Sequence, residues 1–362
     1  MEYLTAPGSD GGFEMILLHI GLGKTATTTL QRHVFPELTR IHPDIIYNKK
    51  GVMKMLTKST YCSLTEEEVC YVRNEVSDGK WLLSLEDLVG WNPRDWEGSA
   101  DLLLSIFGPK VQVLITVRKT REYLRSVFQQ WVHQGNIKPP ERFFVPSVSY
   151  DLVERKPLKW RLEHFDVDSF DLYRLLHIYE ERFDVVRMVS MERIRQFEFL
   201  KAPFALSEYT VRRLQVFFDQ APRSNRAYSS LGMSLTFARE SIFNSIGART
   251  RGTDDRDPIE ICRRFDDSFR YSPLHAPFQS LKFLEKLKQA PRRAVLRWTQ
   301  LARGFVPSWR KFIQRGLDKI LPYTEYRFPD AVYRNYELEK SNDDLVSRLS
   351  GDGSIEHRTE LL

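Results

Sequence analysis

The stretch that decides the fold is ILLHIGLGKTATTTLQ, residues 16–31. An apolar run reaches Ile20 and stops at Gly21. Gly23-Lys24-Thr25 follows, and then Ala26 and a row of small hydroxyl residues, Thr27, Thr28 and Thr29. The pattern predicts a buried strand, a tight loop and the N-terminus of a helix. Such a turn presents unpaired N–H groups. The helix dipole adds partial positive charge there, and Lys24 adds a full one. With the threonine hydroxyls as further donors, the stretch suits a phosphate group.

Strand and helix patterns alternate outward from this loop. Strands are predicted at 15–20, 45–47, 81–85, 111–117 and 184–190. Helices are predicted at 27–38, from Thr65 with three glutamates in its first turn, and at 100–107, 120–133, 168–183, 209–218, 230–246 and 341–349. This rhythm implies an α/β domain with a mainly parallel sheet, whose ligands sit at the carboxyl ends of the strands.

At 362 residues the chain suits one large domain, or a domain with an appendage. We read 13–246 as the α/β core, completed by 329–350, with 247–328 as an irregular connection and a basic helical insertion. Residues 282–319 carry eleven Lys or Arg against two acidic residues. Trp298, Leu301, Phe305, Trp309, Phe312 and Ile313 recur there at helical spacing. The segment reads as a solvated basic face, as a recognition element for an acidic or lipid-linked acceptor, or as a peripheral contact with an anionic membrane. The net charge of +6 fits anionic partners. Nucleic acid is not expected, because no helix-turn-helix, zinc or RRM signature accompanies the charge.

Cys62, Cys70 and Cys262 form no CxxC pair and no zinc spacing. No disulfide framework and no metal site are therefore expected, and a reducing compartment is. MEYLTAPGSDGGFE, residues 1–14, lacks the basic and apolar regions of a signal peptide. No stretch approaches the roughly eighteen apolar residues of a membrane span. The expected location is cytoplasmic, with membrane contact confined to 282–319.

A Walker A loop, GxxxxGK[ST], requires glycine at position 18, where this chain has leucine. The stretch instead resembles the phosphosulfate-binding loop of sulfotransferases, which in bacterial and Golgi-type members reads close to hIGxxKTGTTxLQ. Thirteen positions, His19 to Gln31, carry the likeness. Ala26 stands where glycine is usual, which is tolerable in a helical backbone and costly at positive φ. Gly23 stands where proline is common, which loosens the turn. The family's second motif is a strand ending in arginine, with a serine about two helical turns later. VLITVRKTREYLRSVF supplies Arg118 and Ser126 in that context.

The resemblance implies a P-loop-like three-layer fold and transfer of a sulfuryl group from 3′-phosphoadenosine 5′-phosphosulfate to an acceptor hydroxyl. The product is 3′,5′-ADP, and no metal takes part. The implied cofactor site is Gly21, Leu22, Gly23, Lys24, Thr25, Ala26, Thr27, Thr28 and Thr29, with Arg118 and Ser126 on the 3′-phosphate. Arg226, in RSNRAYSS, is a further candidate for that phosphate, and a solvated loop is the plain alternative. Lys24 is placed to stabilise charge on the leaving phosphate. Glu86, in LLSLEDLVGW, is the first candidate for general base and His133 the second. The alternative for Glu86 or Asp87 is a helix cap. His19 and Glu192 read as structural. The acceptor is expected to be a carbohydrate or glycolipid. Two rival readings remain: a P-loop-type kinase with a degenerate loop, and an inactive polyanion- or membrane-binding protein on the same fold.

Overall fold

The computed structural model describes residues 15–60, 62–133, 139–150, 164–221, 230–234, 237, 326, 329–332, 335–351 and 355–358. The chain divides into two compact units. One comprises Met1–Phe128, Pro139–Asn225 and Pro329–Leu362, and the other Gln129–Lys138 and Arg226–Phe328. The candidate site and the sheet belong to the first.

That unit is α/β. Strands β1 (Met15–His19), β2 (Ile45–Tyr47), β3 (Lys80–Ser84), β4 (Gln112–Val117) and β7 (Val185–Ser190) run parallel, and β8 (Ile355–Arg358) lies antiparallel on β7. The order is β2-β3-β1-β4-β7-β8. A second sheet pairs only β5 (Phe144–Val145) with β6 (Phe165–Asp166). From β1 the chain moves to β2 and β3 on one side, then crosses to β4 on the other. The carboxyl end of β1 is therefore a topological switch point, where open α/β sheets bind ligands.

Consecutive residues of β1, β3 and β4 are buried, so both faces of the sheet are covered. On one face Leu17, Leu82, Leu114 and Val189 pack with Leu30, Val34, Phe35 and Leu38 of the first helix and with Val211 and Leu214 of a later one. The first helix, α1, is built of Thr27–Thr29, a π turn over Leu30–Val34, and Phe35–Ile41. His42 ends it, before Pro43. The other helices of more than one turn among the described residues are α2 (Lys50–Ser59), α3 (Glu66–Glu75), α4 (Trp96–Phe107), α5 (Thr120–His133), α6 (Leu172–Glu180), α7 (Glu198–Phe204), α8 (Glu208–Gln220) and α9 (Tyr336–Gly351). Thr65 and Glu68 form a reciprocal cap on α3.

Some elements differ from the sequence reading. Helix α6 starts at Leu172, later than expected, because the Asp171 carboxylate caps the amides of Tyr173 and Arg174 and so fixes the first turn. Helix α4 extends back to Trp96, and α9 back to Tyr336. Helix α2 has no counterpart in that reading. Cys62 is disulfide-bonded, and Cys70 is free and exposed. Disulfides persist in oxidising compartments, so the cysteine count no longer argues for a reducing one. Among the described residues, no helix is long and apolar enough to cross a membrane. The basic stretch 282–319 lies outside them.

Candidate functional site

The loop after β1 lies along the end of β4. Ile20 N–H donates to the Leu114 carbonyl and Leu22 N–H to that of Thr116, both at 3.0 Å. This close approach is why position 21 is glycine: a Cβ there would stand 1.8 Å from Thr116 Oγ1. The chain then turns sharply, with Lys24 at φ +72° and Ala26 at φ +62°, ψ +12°. Ala26 thus adopts the left-handed backbone that the usual glycine would take freely. Its carbonyl accepts from Thr29 and Leu30 and starts α1, and no side chain caps that helix. The amides of Gly23, Ala26 and Thr27 donate to no acceptor among the described residues. Unbonded amides around left-handed residues have the geometry that suits an anion, and half-buried Lys24 is one of those left-handed residues.

The four threonines are not equivalent. Thr25 is fully buried, and its hydroxyl donates to the Leu22 carbonyl (2.5 Å) and meets Thr116 Oγ1 (2.6 Å). Thr27 Oγ1 donates to Glu86. These two side chains shape the loop. Thr28 and Thr29 are half-buried. Leu22 is also fully buried, and its N–H and carbonyl are taken by Thr116 and Thr25, so it shapes the loop and offers a ligand nothing directly.

Beneath the loop lies a buried polar cluster. His19 Nε2 is 3.2 Å from Thr116 Oγ1, and its Nδ1 is 2.8 Å from Ser84 Oγ. Gln31 Nε2 donates to Ser84 Oγ at 3.0 Å and to the Ser84 carbonyl at 3.2 Å. Asn48 clamps the Ser84 backbone by donating to its carbonyl and accepting from its N–H. Burial pushes the His19 imidazole down to about 3, so it is neutral.

Glu86 follows β3 directly and opens a 3-10 turn, Glu86–Val89. It is half-buried and caps no helix; its carboxylate accepts from Thr27. Burial, together with the neighbouring Glu86 charge, lifts the Asp87 carboxyl to about 6, against a hydrogen bond from Trp91 Nε1 that lowers it. The Trp91 ring lies on Gly23, where a Cβ would stand 2.4 Å from its edge. Tyr123 of α5 is buried, and burial together with the Glu86 charge raises its phenol.

Across β1 from Glu86, Arg118 follows the last residue of β4. Its Nε donates to Glu122, one turn along α5, at 2.8 Å. Asp343 of α9 accepts from the Thr120 amide and caps α5 beside it. Ser126 lies two turns along α5, half-buried. The fold therefore gathers the loop from Gly21 to Thr29, Glu86 and Arg118 at one edge of the sheet. Glu192 is exposed beyond β7. Arg226 and the side chain of His133 lie outside the described residues. Sequence reasoning missed Trp91, Thr116, Ser84, Asn48 and Tyr123. Each is contributed by an element distant in sequence, Tyr123 by helix α5 and the others by strands or the turns after them, and only the strand-end positions of Ser84 and Thr116 hinted at it.

No protein-family model, curated protein or solved structure matches the chain.

Proposed function

We propose that the chain is a group-transfer enzyme that binds a phosphate-bearing nucleotide at the end of β1 on a P-loop-like fold. More narrowly, we propose a sulfotransferase using 3′-phosphoadenosine 5′-phosphosulfate, with a carbohydrate or glycolipid hydroxyl as acceptor. The observation that carries this reading is the group of unbonded amides at Gly23, Ala26 and Thr27, with Glu86 on one side and Arg118 on the other. The donor set fits the nucleotide: unbonded amides and Lys24 for the 5′-phosphate end, and Arg118 with Ser126 for the 3′-phosphate.

The bound nucleotide supplies the sulfuryl group and its leaving phosphate. The chain's own residues do the rest. The amides of Gly23, Ala26 and Thr27 would hold phosphate oxygens in a fixed place, so that little reorganisation is needed as charge develops. Lys24 sets a full positive charge beside that position. Glu86, aligned by the Thr27 hydroxyl, accepts the proton of the acceptor hydroxyl. Arg118 would give the 3′-phosphate a forked grip in place of its contact with Glu122.

The kinase reading is weaker on a specific ground. Leu18, where a Walker loop needs its first glycine, is fully buried in β1. The test is thermal unfolding with 3′,5′-ADP, with ATP plus magnesium, and with neither. Ligand at a hundred times its dissociation constant stabilises by about 2.7 kcal/mol, or several degrees. We expect a rise with 3′,5′-ADP that Arg118→Ala abolishes. A rise with ATP plus magnesium alone would establish the kinase reading instead. No rise with either ligand would favour the non-enzymatic one.

A further inference from the structure

The buried cluster beneath the loop is a single line of hydrogen bonds whose polarity is forced from one end. The Leu22 carbonyl can only accept, so the one hydroxyl proton of Thr25 goes to it. Thr116 must then donate to Thr25 Oγ1. With that proton committed, His19 Nε2 must carry a hydrogen and donate to Thr116. Neutral His19 has a lone pair left at Nδ1, which accepts from the Ser84 hydroxyl. Ser84 Oγ in turn accepts from Gln31. Every link has one allowed direction, from α1 through β3, β1 and β4 into the loop.

The far end of this line acts on the ligand side. A trans peptide is planar, with its C=O and N–H opposed, and the chain has no cis bond among the described residues. Drawing the Leu22 carbonyl toward buried Thr25 therefore turns the Gly23 N–H the other way. We infer that His19 is a positioning residue for the loop: through Thr116 and Thr25 it holds the Leu22 carbonyl inward and so aims the Gly23 amide at the bound anion. This rests on the reading that the loop holds an anionic nucleotide. His19 itself touches no ligand.

Two measurements test it. Nitrogen-15 NMR of the unliganded protein reads the His19 tautomer. The Nε2–H form is expected, unchanged between pH 5 and 7, and an Nδ1–H form or an imidazolium would overturn the inference. Calorimetric titration with 3′,5′-ADP then compares variants whose folding is checked by circular dichroism. Thr116→Val keeps the side chain's shape but cannot donate, and should weaken binding about tenfold or more, while Thr116→Ser stays within about twofold. His19→Gln keeps a donor near the Nε2 position and should outbind His19→Asn, which does not. Equal binding by wild type and Thr116→Val would overturn the inference. If wild type binds no 3′,5′-ADP, the nucleotide reading fails separately. The tautomer then decides the line, together with a Gly23 amide resonance that moves in Thr116→Val and not in Thr116→Ser.

Discussion

Ala26 holds a backbone that costs an L-residue roughly 1–2 kcal/mol. Replacing it by glycine relieves that strain and adds some unfolded-state entropy. We expect Ala26→Gly to stabilise the protein by about 1 kcal/mol, read as a higher urea midpoint at unchanged slope. A lower midpoint would mean that the alanine methyl makes packing contacts worth more than the strain. Gly23 makes a different point. Beside the sulfotransferase pattern it reads as a loosening of the turn, whereas the folded chain lays the Trp91 ring on it. Local sequence announces a glycine but not the ring that requires it. The loop's amides and Lys24 were legible because they follow from a strand, a turn and a helix start in sequence. The commitment of Thr25 and Thr27 to Thr116 and Glu86 was not, because those partners arrive from β4 and the turn after β3.

Among the elements, α9 has a role out of proportion to its place near the chain's end. Asp343 caps α5 beside Arg118. Asn342, fully buried, accepts from the Leu172 amide and donates to the Phe170 carbonyl, which ties down the start of α6. Asn342→Leu leaves two buried backbone groups unpaired and should lower stability by about 2–4 kcal/mol, measured by chemical denaturation. A loss under about 0.5 kcal/mol would show that the backbone finds other partners. The same contrast explains which elements could be read. Strand β4 is apolar along its buried length except at Thr116, and helix α3 carries its own cap, so both declare themselves. Helix α2, with Lys50, Gly51, Lys54 and Lys58 among its ten residues, hides its apolar face. Strand β8 is IEHR, a sequence that becomes a strand only by pairing with β7.

For the molecule as a whole, buried His19 and half-buried Asp87 give stability opposing dependences on pH. His19 falls from 6.5 to about 3 on folding, so its contribution is complete above pH 6.5 and is lost as pH falls toward 3. Asp87 rises from 3.8 to about 6, so its contribution is complete below pH 3.8 and is lost as pH rises through 6. Each slope is at most about 1.4 kcal/mol per pH unit, and between pH 4 and 6 the two oppose. Asp87→Asn removes one of them and leaves an acceptor for Trp91. Its stability should fall more steeply than wild type from pH 6 to 4, and exceed it by on the order of 1–2 kcal/mol at pH 7. Urea melts at four pH values check this, and parallel curves would refute it.

The position of β8 and α9 also sets an order of events during synthesis. Strand β7 ends at Ser190 and its partner β8 begins at Ile355, about 160 residues later. At 5–20 residues per second the ribosome takes roughly 10–30 s to deliver it. For that interval the nascent chain has most of its sheet, yet β7 presents an open edge, the kind that pairs with other chains. The amide of Leu172 waits 170 residues for Asn342, and that of Thr120 waits 223 for Asp343. Slow or interrupted translation after β7 should therefore favour aggregation, and expression with chaperones that shield strand edges should raise the soluble yield.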